Sequence, residues 1–303
     1  MSRISRRRFV TAAAAGVLTA PAALYSRQSR RAAPVSAQQI VDRIKQQVGV
    51  AWRDQTVDTF KAGDPSTVVT GIVTTAMATM DVLRQTVQAR ANLVITSEPT
   101  FYSRSDSPSP GARRGGPPAG PDPILTAKND FVKNNGLVIW RFSDHWRQRK
   151  PDPLSIGLTD ALGWSKFRAA DDPARITIPA VTLDQLGADI KKKLNARGGI
   201  RIVGDPRLRV QRVGLLPGTS AIQAALGLLP EVDAVIAGEV REWESVEYAR
   251  DKITAGERKT LILLGRVVSE NPGMNVCAQW VKTIVPEVAT TWVPVGDPYW
   301  SPI

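Results

Sequence analysis

The chain has 303 residues, 43% of them hydrophobic and 22% charged. That composition belongs to a globular protein and excludes a disordered, collagen-like or disulfide-stapled one. The formal net charge of +12 suggests a polyanion partner, but residues 1–37 hold seven arginines and no acid, and the rest carries 33 basic against 28 acidic residues. A body this mildly basic does not call for nucleic acid, and no face interleaves basic residues with aromatics.

The N-terminus reads as an export signal. Met1–Arg8 is basic, and Thr11–Ala23 is an alanine-rich apolar run, too short to span a bilayer and suited to a signal core. Ser5-Arg6-Arg7-Arg8-Phe9-Val10 resembles a twin-arginine export signal. Ala20-Pro21-Ala22 and Val35-Ser36-Ala37 both fit small-x-small cleavage, and the second is taken as the boundary, making 1–37 the signal peptide. The expected location is periplasmic or extracellular, with no membrane contact after cleavage. Cys277 is the single cysteine, so no intrachain disulfide forms; its apolar helical surroundings mark it as a core residue.

In chain order, Gln38–Val48 has helical spacing, Val68–Thr74 is β-rich, Met80–Arg90 is helical and Leu93–Thr96 is a short buried strand. This is a βαβ unit with parallel pairing. Residues 103–123 are rich in proline, glycine and serine and read as a disordered insertion. A helix over Leu125–Asn134, a strand over Leu137–Phe142 and a helix over Leu154–Leu162 follow. The theme then repeats: strand Arg209–Leu216, a Pro217-Gly218-Thr219-Ser220 turn, helix Ala221–Leu229, strand Ala234–Ala237, helix Arg241–Ile253 and strand Thr260–Leu264. Both units close on an apolar strand, a small residue and a glutamate, Glu98 in one and Glu239 in the other. The fold class is therefore α/β: two related lobes with mostly parallel sheets and a cleft between them, 38–165 and 166–303.

Polar groups recur beyond strand ends, where open parallel sheets place their ligands: Glu98, Asp144 with His145, Glu239 and Glu270. Carboxylates brought together repel unless a cation or proton lies among them, so these acids are candidates for a hard divalent metal, with surface acids paired to Arg241 or Arg266 as the alternative. Without a histidine cluster, a conventional zinc site is not expected. Gly218, Thr219 and Ser220 precede a helix, whose N-terminal amides suit an anion, with an ordinary capped turn as the alternative.

The segments Asp58–Pro65, Val94–Phe101, Phe142–Trp146, Val203–Pro206, Ala237–Glu239 and Gly265–Glu270 stand in an order similar to that of the NIF-three-like proteins, a group of dinuclear-metal, toroid-forming hexamers often labelled GTP cyclohydrolase. The resemblance covers most of Gln38–Trp300. It implies a two-metal centre in which a Thr-His-His-Pro segment gives two ligands, an aspartate after the next strand a third, and a late His-x-x-x-Glu pair two more. Here the histidine positions fall on Ser97 and Glu98, the third ligand on or beside Asp144–His145, and the late pair on Arg266 and Glu270. Three imidazoles are thus absent, and Arg266 brings no lone pair to a metal. Three states follow: one metal (manganese, iron, zinc or magnesium) held by Glu98, Asp144, His145 and Glu270, a metal-free cleft clamped by arginine, or an intact two-metal site. The first implies metal-assisted hydrolysis of a small anionic substrate. The second implies an anion-binding protein using Arg266 with Gly218, Thr219 and Ser220, or a ring whose assembly is its role. A homo-oligomer is implied throughout.

Overall fold

The computed structural model describes residues 33–103, 106 and 122–300. The twin-arginine segment and most of the 103–123 insertion lie outside these residues. The chain from Pro34 onward forms one compact unit. Its elements are α1 (Ala37–Gln47), β1 (Phe60–Ala62), β2 (Ile72–Thr75), α2 (Met80–Gln88), β3 (Leu93–Thr96), α3 (Pro123–Asn134), β4 (Val138–Arg141), α4 (Asp144–Gln148) and α5 (Pro153–Ala161). There follow β5 (Arg175–Thr182), α6 (Leu183–Lys193), β6 (Arg201–Val203), β7 (Arg209–Thr219), α7 (Ile222–Leu228), β8 (Ala234–Glu239), α8 (Glu247–Thr254), β9 (Thr260–Leu263), α9 (Arg266–Ile284) and β10 (Thr290–Trp292).

Two five-stranded sheets result, ordered β1-β4-β3-β2-β10 and β5-β7-β8-β9-β6. The inner pairings are parallel; β1, β5 and β6 join antiparallel at edges. β2, β3, β4 and β9 are buried along their whole length, which is why they read as continuous apolar runs and not as alternating ones. Thr79, Asp122, Asp152 and Thr182 each accept a hydrogen bond from the first turn of the helix they precede, satisfying amides that no helical carbonyl reaches.

The lobes meet through α5 and α9. A Cβ on Gly157 would meet the Pro272 carbonyl carbon at 2.4 Å, and one on Gly273 would meet Leu154 Cδ2 at 2.3 Å. Only glycine allows this crossing, which fixes the start of α9, with Arg266 and Glu270, over the gap between the sheets.

The structure differs from the sequence reading at several points. Ser36 caps α1 through a reciprocal box with Gln39, Ala37 is buried in the core, and the Val69 amide donates to the Val35 carbonyl. Cleavage after Ala37 would strip this cap, so the fold begins before the expected boundary. Gly218 and Thr219 belong to β7, with Thr219 opposite Glu239, instead of forming a helix-leading turn. The helix they precede has seven residues and no side-chain cap. The expected 241–253 helix is a π turn, Glu242–Val246, followed by α8. β10 pairs with β2, so the end of the chain crosses back from the second lobe into the first sheet.

Candidate functional site

Near the ends of β3, β4, β8 and β9, five charged side chains interlock. Glu98 follows β3 and is almost fully buried; Glu270, one turn into α9, is fully buried. Arg147, from α4, donates from Nη2 to Oε1 of both Glu98, at 3.0 Å, and Glu270. Arg266 places Nη2 2.8 Å from Glu98 Oε2 and Nε 3.5 Å from Glu270 Oε1, while its Nη1 lies 3.7 Å from Glu239 Oε2. The paired glutamates of the two lobes therefore meet on one guanidinium. Ser97 Oγ donates to Glu270 Oε2 at 3.4 Å. Burial pushes the Glu270 carboxyl up to about 7, against the downward pull of Arg147 and with a further push from Glu98. Between these carboxylates Arg147 is held more firmly protonated than a free arginine.

Two glycines make room for the clamp. A Cβ on Gly218 would lie 2.5 Å from both Arg147 Nη1 and Glu270 Oε1, and Gly218 has φ +80°. A Cβ on Gly238 would strike the Gly218 carbonyl oxygen at 2.2 Å and Ser269 Oγ at 2.3 Å. Ser269 ties the ends together, accepting from the Gly218 amide at 3.0 Å and donating to the Arg266 carbonyl at 2.8 Å.

Asp144 and His145 serve a different neighbourhood. Asp144 Oδ2 accepts from the Thr56 hydroxyl at 2.9 Å and the Val57 amide at 3.2 Å. His145 is buried and stacks on Trp52, with ring centroids 3.7 Å apart. Its Nε2 accepts the Arg53 amide hydrogen at 3.0 Å, so the ring proton resides on Nδ1 and is donated to Asp58 Oδ2 at 2.7 Å. Asp58 also accepts the amides of Ser143, Asp144 and His145. Both imidazole nitrogens are thus committed, and the pair pins the 52–58 loop to α4.

The donor set does not fit the metal centre that the resemblance implies. Of the four expected ligands only Glu98 and Glu270 come together, and guanidinium groups, which have no lone pair to give, occupy the space beside both carboxylates. Among the described residues no three His, Cys, Asp or Glu side chains gather as a metal would require. The segment around Asp144–His145 sends Arg147 into the cleft, where an aspartate was implied. Sequence reasoning missed Arg147: it lies one helical turn beyond Asp144, but nothing in the chain order announces its distant partners.

Arg147 also faces a cleft of about 310 Å³, lined further by Lys150, Asp152, Leu154, Asp171–Ala174, Leu215–Pro217 and Ser220. Thr219 does not line it, and Ser220 does.

No protein-family model matches the sequence, and no curated protein matches it. Solved structures do. SA1388 of Staphylococcus aureus aligns with a TM-score of 0.65 at 14% identity, covering 88% of this chain and 99% of that one. A Bacillus cereus protein related to NIF3 gives 0.66 at 12%, covering 88% and 99%. The protein ybgI, of unknown function, gives 0.64 at 18%, covering 87% and 100%. Similarity over 87–88% of its length shows that this chain has the two-lobed α/β fold of the NIF3-like proteins.

Proposed function

We propose that this chain is a metal-independent small-molecule-binding protein, in which a double-arginine clamp stands where the resemblance implies a metal centre, and that its ligand carries an anionic group. One observation carries the reading: Arg147 commits Nη2 to both buried glutamates and still lines the open cleft beside Lys150 and Ser220. Its remaining N–H donors suit a carboxylate or phosphate. Turnover by metal-activated water is not proposed, because the donor set does not hold the metal.

The test is thermal unfolding with inorganic phosphate, with and without a chelator, alongside elemental analysis of the purified protein. Stabilisation that rises with phosphate and ignores the chelator is expected, since a ligand that binds only the native state raises its stability. Roughly one retained metal ion per chain, with stabilisation lost to the chelator, would restore the hydrolase reading.

Export by the twin-arginine route and homo-oligomerisation, up to a hexamer, belong to the same proposal. They rest on the Arg6-Arg7 signal and on the resemblance. Changing both arginines to lysine should block export. The mature N-terminus should lie upstream of Val35, after Ala22, because the fold uses Val35, Ser36 and Ala37. Sedimentation should give a mass several times that of one chain.

A further inference from the structure

We infer that the ligand of this cleft is a small zwitterion: an anionic head and an ammonium group joined by a short apolar link. The inference rests on the anion-binding reading above and extends it to the rest of the cleft wall.

The cleft's charges are sorted by segment. The 147–154 stretch supplies Arg147 and Lys150, and Ser220 adds a hydroxyl. That stretch also holds Asp152, but its carboxylate is spent on the amides of Leu154 and Ser155 and on the Ser155 hydroxyl. The 171–174 stretch supplies two acids. Asp172 is engaged, accepting from the Ala174 amide at 3.2 Å and pairing with Arg175 at 2.7 Å. Asp171 is exposed and makes no hydrogen bond or ion pair with any described residue. This stretch is held on β7, where the Leu215 amide donates to the Ala174 carbonyl at 2.8 Å. The rest of the lining is apolar: Leu154, Pro173, Ala174, Leu215, Leu216 and Pro217.

A purely anionic ligand would leave Asp171 facing it as a like charge, which disfavours binding. A simple amine would meet Arg147 and Lys150. A molecule with both groups meets both signs of charge in the cleft, and a few methylenes joining them rest on its apolar lining. The cavity suits a ligand of amino-acid or dipeptide size.

The experiment is calorimetric titration of the full mature protein at pH 8 with 6-aminohexanoate, hexanoate, hexylamine and inorganic phosphate. The zwitterion should bind at least about threefold more tightly than hexanoate, the gain of one solvent-accessible charge pair. Asp171→Asn should erase that difference and leave the affinity for hexanoate and phosphate equal or higher. Equal binding of 6-aminohexanoate and hexanoate, or a difference that survives Asp171→Asn, overturns the zwitterion inference. If phosphate and hexanoate both fail to bind, the anion-binding reading falls as well, whereas binding of phosphate with no advantage for the zwitterion removes this inference alone.

Discussion

Gly218 sits so close to Arg147 that a methyl group on its α-carbon would lie 2.5 Å from the guanidinium Nη1. The backbone there also has φ +80°, which L side chains rarely adopt. Gly218→Ala should therefore destabilise the protein by about 2–4 kcal/mol, combining a strained dihedral with overpacking. It should also weaken phosphate-dependent stabilisation by displacing Arg147. Denaturant unfolding with and without phosphate measures both effects.

Removing Arg147 leaves two buried carboxylates with Arg266 as their one remaining cation among the described residues. Arg147→Met should cost about 2–4 kcal/mol at pH 8, towards the lower part of the range for broken buried pairs because Arg147 is partly exposed. Glu270→Gln in the same chain should recover much of that loss. Unfolding of the two single variants and the double variant forms a cycle whose coupling should be large and favourable to the pair.

The clamp also predicts a pH signature. Burial raises the Glu270 carboxyl from an ordinary 4.5 to about 7, so between those values the folded chain holds a proton that the unfolded chain has lost. Stability from this group is full below pH 4.5 and declines as pH rises through 7, by on the order of 1 kcal/mol per unit. Lys128 acts in the opposite direction at higher pH. It is buried with Nζ donating to the Thr100 carbonyl at 2.6 Å, and desolvation lowers it to about 8 while Asp106 resists. Between 8 and 10.5 the unfolded chain binds the extra proton, so stability rises with pH. Glu270→Gln should flatten the first slope and Lys128→Met the second, read from chemical unfolding at a series of pH values.

Asp58→Asn should be among the most damaging single changes outside the hydrophobic core. One carboxylate serves the amide of Ser143, the first two amides of α4 and the His145 ring. An amide in its place turns an N–H toward those donors, at a cost of about 2–4 kcal/mol. The α4 shift should lower phosphate affinity too, since α4 carries Arg147. Nitrogen NMR of the wild type should show the proton on Nδ1 of His145.

The parallel core was legible because β2, β3, β8 and β9 are short, largely apolar runs, each with a helix after it. The edge strands were not: β5 alternates buried and exposed residues only in part, and β1, β6 and β10 are three residues each, held by pairing instead of by their own pattern. Of the strand-end groups Glu98, Asp144, His145, Glu239 and Glu270, three (Glu98, Glu239 and Glu270) lie against Arg266, the pairing the sequence offered as the alternative to a metal. His145 and Asp144 could not be separated from them by sequence, because the partners that claim them, Arg53, Thr56 and Asp58, lie far back in the chain. Arg147 escaped for the same reason. The polarity of a residue is written locally, but its counter-charge is a property of the closed fold.

The return of the chain to the first sheet has a consequence for association between molecules. β10 covers the outer side of β2 with Thr290 beside Ile72 and Trp292 beside Thr74. Without those three residues, the N–H and C=O groups along one side of a fully buried, β-branched strand would stand open, a template on which another copy could add a strand. β10 thus takes the edge position in place of β2, and its brevity leaves little backbone of its own to recruit a neighbour.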